Sequence, residues 1–150
     1  MASYEALFND STFITRSENQ MEDIGRDFAI GLRAGDFLAL YGSLGSGKTV
    51  FTRGVCRGLG CRLEVHSPTF NIINFYPGDI EVAHVDLFRI DSGLHELGWD
   101  ELIDSDRVIV VEWAEKAKND LPSKRFDIFF NIIDVKTREV RIKRLNGLGD

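Results

Sequence analysis

Cysteine is scarce in this chain: Cys56 and Cys61 are the only two, and neither has a His or Cys companion at zinc-ligand spacing. That removes a structural zinc site and leaves two buried or half-buried free thiols, the usual fate of isolated cysteines. Long apolar runs are missing too. None approaches the ~20 residues of a membrane-spanning helix, and Met1-Ala2-Ser3-Tyr4-Glu5 lacks the basic and apolar regions of a secretory signal. The expected address is cytoplasmic, with no membrane partner. Internal repeats and low-complexity stretches are absent. What remains, 150 residues with 43% hydrophobic and 28% charged content, suits one soluble domain spanning 1–150.

Positive charge is short, and unevenly so. The net charge is −6, with 9 Lys/Arg against 19 Asp/Glu in residues 1–115 and 9 against 5 in residues 116–150. An acidic body argues against gripping a nucleic acid by phosphate neutralisation, which wants a strongly basic face. The basic C-terminal segment keeps contact with a nucleic acid open, but its favoured reading is solubility and charge balance on an outer strand, where Lys and Arg also discourage edge pairing.

Glycine, by contrast, is concentrated where it carries chemistry. Gly42-Ser43-Leu44-Gly45-Ser46-Gly47-Lys48-Thr49 is a full G-x-x-x-x-G-K-[ST] match. A random chain of this length shows that pattern on the order of 1% of the time. Its context fits as well: Phe37 to Tyr41 is an apolar run of strand length, and Val50 to Leu59 is a proline-free helical stretch ending at Gly60. In such a loop the glycines let successive N–H groups turn inward onto phosphate. Lys48 adds a point charge, Thr49 offers a hydroxyl to Mg²⁺, and the helix N-terminus supplies positive potential. The expected nucleotide contacts are Ser43, Leu44, Gly45, Ser46, Gly47, Lys48, Thr49 and Val50. With neither an N-K-x-D motif nor a D-x-x-G switch, a Ras-type GTPase is disfavoured and ATP with Mg²⁺ is the expected cofactor.

Around this loop the chain alternates strands and helices. Thr12 to Thr15 reads as a short strand, and Ser17-x-x-Gln20 as a capping box opening a helix near Glu18. Met21, Ile24, Phe28 and Leu32 continue that helix towards Gly35. This N-terminal unit is expected to cover the nucleotide or to dock on the sheet. Val65 to Phe70 reads as a loop around Pro68. Phe70–Tyr76 and Ile80–Asp86 form a hairpin across Pro77-Gly78-Asp79, which makes the sheet mixed. Short helices fall within Leu87–Ile103, a buried strand over Val108–Glu112, a helical turn at Ala114–Lys118, and a closing hairpin from Phe126–Asp134 and Glu139–Leu145. The fold class is a three-layer, single-domain α/β fold like that of P-loop NTPases, with a mixed parallel and antiparallel sheet.

Phosphoryl chemistry on Mg²⁺–ATP needs carboxylates near Thr49. Asp86 and Glu112 both end apolar strands, where ligands of open α/β sheets gather, and either could serve as the Walker B acid. Thr69 is a candidate γ-phosphate switch or a residue of an ordinary turn. His84 reads as a packed strand histidine, Trp113 as a core residue, and Arg89 as an exposed loop arginine that could act in cis.

The residues GSLGSGKT, SPTF at 67–70, HVDLFR at 84–89, LGWDE at 97–101 and VEWAE at 111–115 resemble the TsaE (YjeE) family in order and spacing. Phe88 stands where that family usually has tyrosine, and Ala114 where proline is common. The resemblance implies an ATPase, slow alone, that serves the TsaD–TsaB pair in making threonylcarbamoyladenosine on tRNA and meets tRNA only through that complex. It places phosphate-loop roles on Gly45, Gly47, Lys48 and Thr49, a switch role on Thr69, and metal or water-orienting roles on Asp86 and Glu112, with Lys48, Thr69, Asp86 and Glu112 as the catalytic set. The competing reading is a small-molecule or nucleoside kinase. Such kinases usually carry an arginine-bearing lid, and Leu87–Ile103 has a single arginine.

Overall fold

A computed structural model describes residues 10–62 and 72–147. Its elements run β1 (Ser11–Thr15), α1 (Glu18–Ala29), β2 (Phe37–Tyr41), α2 (Lys48–Gly58), β3 (Ile73–Tyr76), β4 (Val82–Asp86), a 3-10 turn at Leu94–Leu97, α3 (Trp99–Ile103), β5 (Val108–Glu112), a second 3-10 turn at Ala114–Ala117, β6 (Lys124–Ile132) and β7 (Arg138–Asn146). All seven strands join one sheet in the order β1-β7-β6-β2-β5-β4-β3. The inner strands β6, β2, β5 and β4 pair parallel. Antiparallel pairings attach β3 to β4, β7 to β6 and β1 to β7, so the mixed sheet is as expected. Among the described residues no helix is long and apolar enough to cross a membrane.

The strand period of two divides the core between the two sheet faces. Leu38, Leu40, Val82, Val108, Val110 and Ile128 join Met21 and Phe28 of α1 and Phe51 and Val55 of α2. Phe37, Ala39, Ala83, Val85, Ile109 and Val111 pack on the other face against Trp99, Leu102, Leu94, Ala114 and Ala117. The result is three layers, with the phosphate-loop helix on the first face. Counting on by twos puts His84, Asp86 and Glu112 on that same face.

Local chemistry accounts for the helix ends. Ser17 Oγ accepts the Gln20 N–H at 3.1 Å, and the Arg16 N–H donates back to Gln20 Oε1 at 2.6 Å, so α1 starts where the capping pattern says. It stops at Ala29, a turn earlier than the apolar spacing predicts. Leu32 still reaches the core because a turn, with its N–H on Ala29 O at 3.0 Å, replaces the last helical turn. At Gly54 a Cβ would run into the Glu22 carbonyl oxygen, and at Gly25 into that of Phe51, so α1 and α2 meet backbone to backbone. Both cysteines are free and buried at the end of α2.

The basic C-terminal segment does not lie on an outer strand. β7 is held between β6 and β1, and the described edges are β1 and β3. The N-terminal strand pairs along β7 from Ser11↔Ile142 to Thr15↔Arg138 and takes the edge itself. Guarding an edge is therefore not the role of the β7 lysines and arginines.

Candidate functional site

The β2–α2 loop is built by steric permission and by burial. A Cβ at Gly42 would meet Phe130 O at 2.8 Å, and one at Gly47 would meet Met21 Cε at 2.6 Å. Gly45 and Gly47 take φ of 77° and 108°, the left-handed region that glycine tolerates. Gly47 caps α2 without any side-chain bond, so the first helical amides have no side-chain partner at the cap and form a natural anion seat. Lys48 is only 4% exposed. Its ammonium donates to Gly42 O at 2.5 Å and stands 3.9 Å from the centroid of the Trp113 ring. Burial pulls the Lys48 pKa below the ordinary lysine value, against the opposing pull of Glu112, Glu115 and Asp86. Ser46 Oγ is buried with no hydrogen-bond partner among the described residues.

Opposite the loop stand the two acids, in register as Asp86↔Glu112. Glu112 also pairs with Leu40, one residue before the end of β2, which brings its carboxylate to the start of α2. Thr49 Oγ1 donates to Glu112 Oε2 at 3.3 Å, and His84 Nε2 bonds the same oxygen at 2.6 Å. A carboxylate only accepts, so the hydrogen is assigned to Nε2. Asp86 is half-buried and accepts the Phe88 N–H at 2.9 Å. Burial raises its pKa, the Phe88 N–H opposes that shift, and the Glu112 charge adds to it.

Trp113 is the one non-glycine residue at positive φ among the described residues, at φ 59°. A bulky side chain in the left-handed region costs on the order of 1–3 kcal/mol, which the surroundings must offset. That turn lays the indole over Lys48 and against Phe88, with ring centroids 5.0 Å apart. Trp113 is partly buried on the second core, as a core tryptophan would be, and it also walls the site.

These groups line a cavity of about 860 Å³. Leu44 to Val50, Asp86 and Glu112 face it, Arg89 stands at its exposed margin, and Ser43 is exposed outside the lining. Thr69 lies outside the described residues. Two further walls lie outside the phosphate-loop and strand-end motifs. One is the β1–α1 junction, through Thr15, Arg16 and Ser17; the other is the β6–β7 turn, through Val135, Lys136 and Arg138. Arg138 Nε donates to Gly45 O at 3.1 Å and Nη1 to Asp134 O at 2.7 Å, which ties that turn to the loop. The available signal was topological: if β6 runs parallel to β2, its carboxyl end must overhang the loop. Among the described residues no group of three or more His, Cys, Asp or Glu could hold a metal by itself.

A glycine loop between a central strand and a buried helix, faced by acids from neighbouring strand ends in a three-layer mixed-sheet frame, defines a P-loop NTPase-like α/β domain. Comparison narrows the class. The family model for threonylcarbamoyl adenosine biosynthesis protein TsaE matches residues 15–140. The tRNA threonylcarbamoyladenosine biosynthesis protein TsaE of Streptomyces coelicolor is 42% identical over 139 residues, spanning 87% of this chain and 92% of that one. The Bacillus subtilis protein of the same name is 36% identical over 127 residues, spanning 84% and 80%. A crystal structure of Bacillus subtilis YdiB is similar with a TM-score of 0.80 at 31% identity, over 92% of this chain and 87% of that one. This chain belongs to the TsaE family of tRNA threonylcarbamoyladenosine biosynthesis proteins.

Proposed function

We propose that the protein is a Mg²⁺-dependent ATPase of the cytoplasm, an accessory subunit to TsaD and TsaB homologues in forming threonylcarbamoyladenosine on tRNA, which it meets through that complex. The observation that carries this is the contact of Thr49 with Glu112 inside the cavity floored by Lys48 and the glycine loop.

The residues present fit a metal–triphosphate. Ser46 Oγ, buried within the loop, has no hydrogen-bond partner among the described residues, and Gly47 leaves the start of α2 without a side-chain cap. Thr49 turns its hydrogen towards Glu112, and a hydroxyl oxygen is the kind of hard donor Mg²⁺ takes. Mg²⁺ takes few protein oxygens and fills its shell with phosphate and water, which suits a site of one hydroxyl and two carboxylates. Bound Mg²⁺–ATP would supply a γ-phosphoryl group activated for transfer to water. Lys48 and the loop amides would neutralise the phosphates. Asp86 and Glu112 would hold the metal shell and orient the attacking water. The Trp113–Phe88 wall would limit bulk water.

Calorimetry and turnover test the reading together. Lys48→Ala should abolish tight ATP binding, and Thr49→Ala should weaken binding and remove Mg²⁺-dependent hydrolysis. Wild-type hydrolysis should be slow until TsaB and TsaD homologues are added, since an arginine supplied in trans contributes ~10³–10⁵ in rate. Unchanged affinity in both variants removes the nucleotide assignment. Turnover indifferent to the partners removes the accessory role, and phosphorylation of a metabolite points to a kinase.

A further inference from the structure

We propose that His84 is a positioning residue for Glu112, holding its carboxylate in the orientation that also meets Thr49. The inference rests on the ATPase reading above and adds to it a residue that touches neither nucleotide nor metal. In the β4–β5 register His84 lies opposite Val110 and Asp86 opposite Glu112, so the His84 ring reaches diagonally across the pair on the α2 face. It is wholly buried, and its Nε2 meets Glu112 Oε2 at 2.6 Å.

Packing alone does not account for a histidine here. Nδ1 is buried with no hydrogen-bond partner among the described residues, while the ring lies 6.2 Å from that of Tyr76. An apolar side chain of similar size would fill the space without stranding a polar atom. The return on that cost is the bond to Glu112, itself only 3% exposed. Thr49 and His84 together supply two donors to one oxygen and so fix the carboxylate against the site. Partners behind a ligating or orienting group commonly tune it in this manner.

The test pairs His84→Leu, which removes the donor, with His84→Gln, which returns an N–H at the reach of Nε2. His84→Leu should bind ATP without Mg²⁺ within about twofold of wild type, because phosphate-loop contacts are intact. The gain in ATP affinity on adding Mg²⁺ should fall severalfold, and kcat by about 10–100-fold. His84→Gln should recover most of both losses. In the nucleotide-free wild type, ¹⁵N-edited NMR should show a slowly exchanging, downfield Nε2–H that Glu112→Ala removes; this measurement stands even if His84→Leu does not fold. Normal Mg²⁺ dependence and kcat in His84→Leu, a His84→Gln as impaired as His84→Leu, or the absence of that ring hydrogen each overturns the proposal. A wild type that neither binds nor hydrolyses Mg²⁺–ATP overturns the ATPase reading instead, and the NMR signal then still decides whether His84 holds Glu112.

Discussion

Glu112 and Asp86 end neighbouring strands in register, and by position they are equivalent. Their surroundings are not. Glu112 is buried and takes two side-chain donors on one oxygen, whereas Asp86 is half-buried and takes the N–H of Phe88 two residues on. The difference comes from distance to α2: β5 sits directly beside β2, the strand that feeds the phosphate loop, and β4 is one strand further out. Adjacent strand ends thus give one rigid acid aimed at Thr49 and one that can adjust to a ligand.

If rigidity marks the more important acid, Glu112→Gln should have the larger effect. Loss of the charge should lower kcat by about 10³-fold, as for a positioned acid or base. ATP affinity should stay within about tenfold, or 1.4 kcal/mol, because ground-state binding is mostly phosphate-loop contacts. Asp86→Asn should cost about 10–100-fold in kcat with a similar sparing of affinity. Single-turnover hydrolysis alongside calorimetry reads both. Asp86→Asn proving the more damaging would invert the comparison and give Asp86 the central role.

Which of these differences the sequence could show depends on how local the chemistry is. The glycine loop is contiguous, and so legible, as were the two acids at the ends of apolar runs. A period of two put His84 on one face with Asp86 but could not say that the ring would meet the Glu112 carboxylate, which depends on the register of β4 against β5. Trp113 read as core because a positive φ leaves no trace in a tryptophan. The β7 basic residues read as an outer strand because nothing in Ser11 to Thr15 announces a pairing with residues more than a hundred positions away. Apolar spacing carried α1 on to Leu32 because a turn residue can bury its side chain as well as a helical one.

The second wall, the β6–β7 turn, gives a smaller contrast with the acids. Arg138 reaches the loop by its bond to Gly45 O, with Val135 beside it 89% exposed. Arg138→Ala removes a partly exposed hydrogen bond worth about 0.5–1.5 kcal/mol. The expected outcome is a severalfold rise in the ATP dissociation constant with kcat nearly unchanged, the reverse of the split at Glu112. A fall in kcat as large as that of Asp86→Asn would place Arg138 among the groups acting in the transition state.

The smallest expected effect concerns two aspartates shifted in opposite directions. Asp134, at the start of that same turn, accepts the N–H groups of Lys136 at 3.0 Å and Thr137 at 2.9 Å. Thr137, ahead of the Lys136 amide, holds its carboxyl below the usual range. Asp86 is shifted up, first by burial. The linkage signs follow from proton uptake. A depressed folded pKa means that Asp134 stabilises the turn above its unfolded value, about 3.9, and that this stabilisation is lost as pH falls through the folded value. For Asp86 the raised folded pKa means that the native state binds the proton more readily, so lowering pH through that value relieves a cost. Carboxyl ¹³C titration of the nucleotide-free protein should therefore place Asp86 above and Asp134 below about 3.9. Amide exchange at Lys136 and Thr137 should quicken only at the acid end of the titration, and Asp134→Ala should make it fast at neutral pH. If exchange at those amides followed the Asp86 titration instead, the turn and the acid end of the sheet would be one coupled unit, and the separation drawn between the two walls of the cavity would fail.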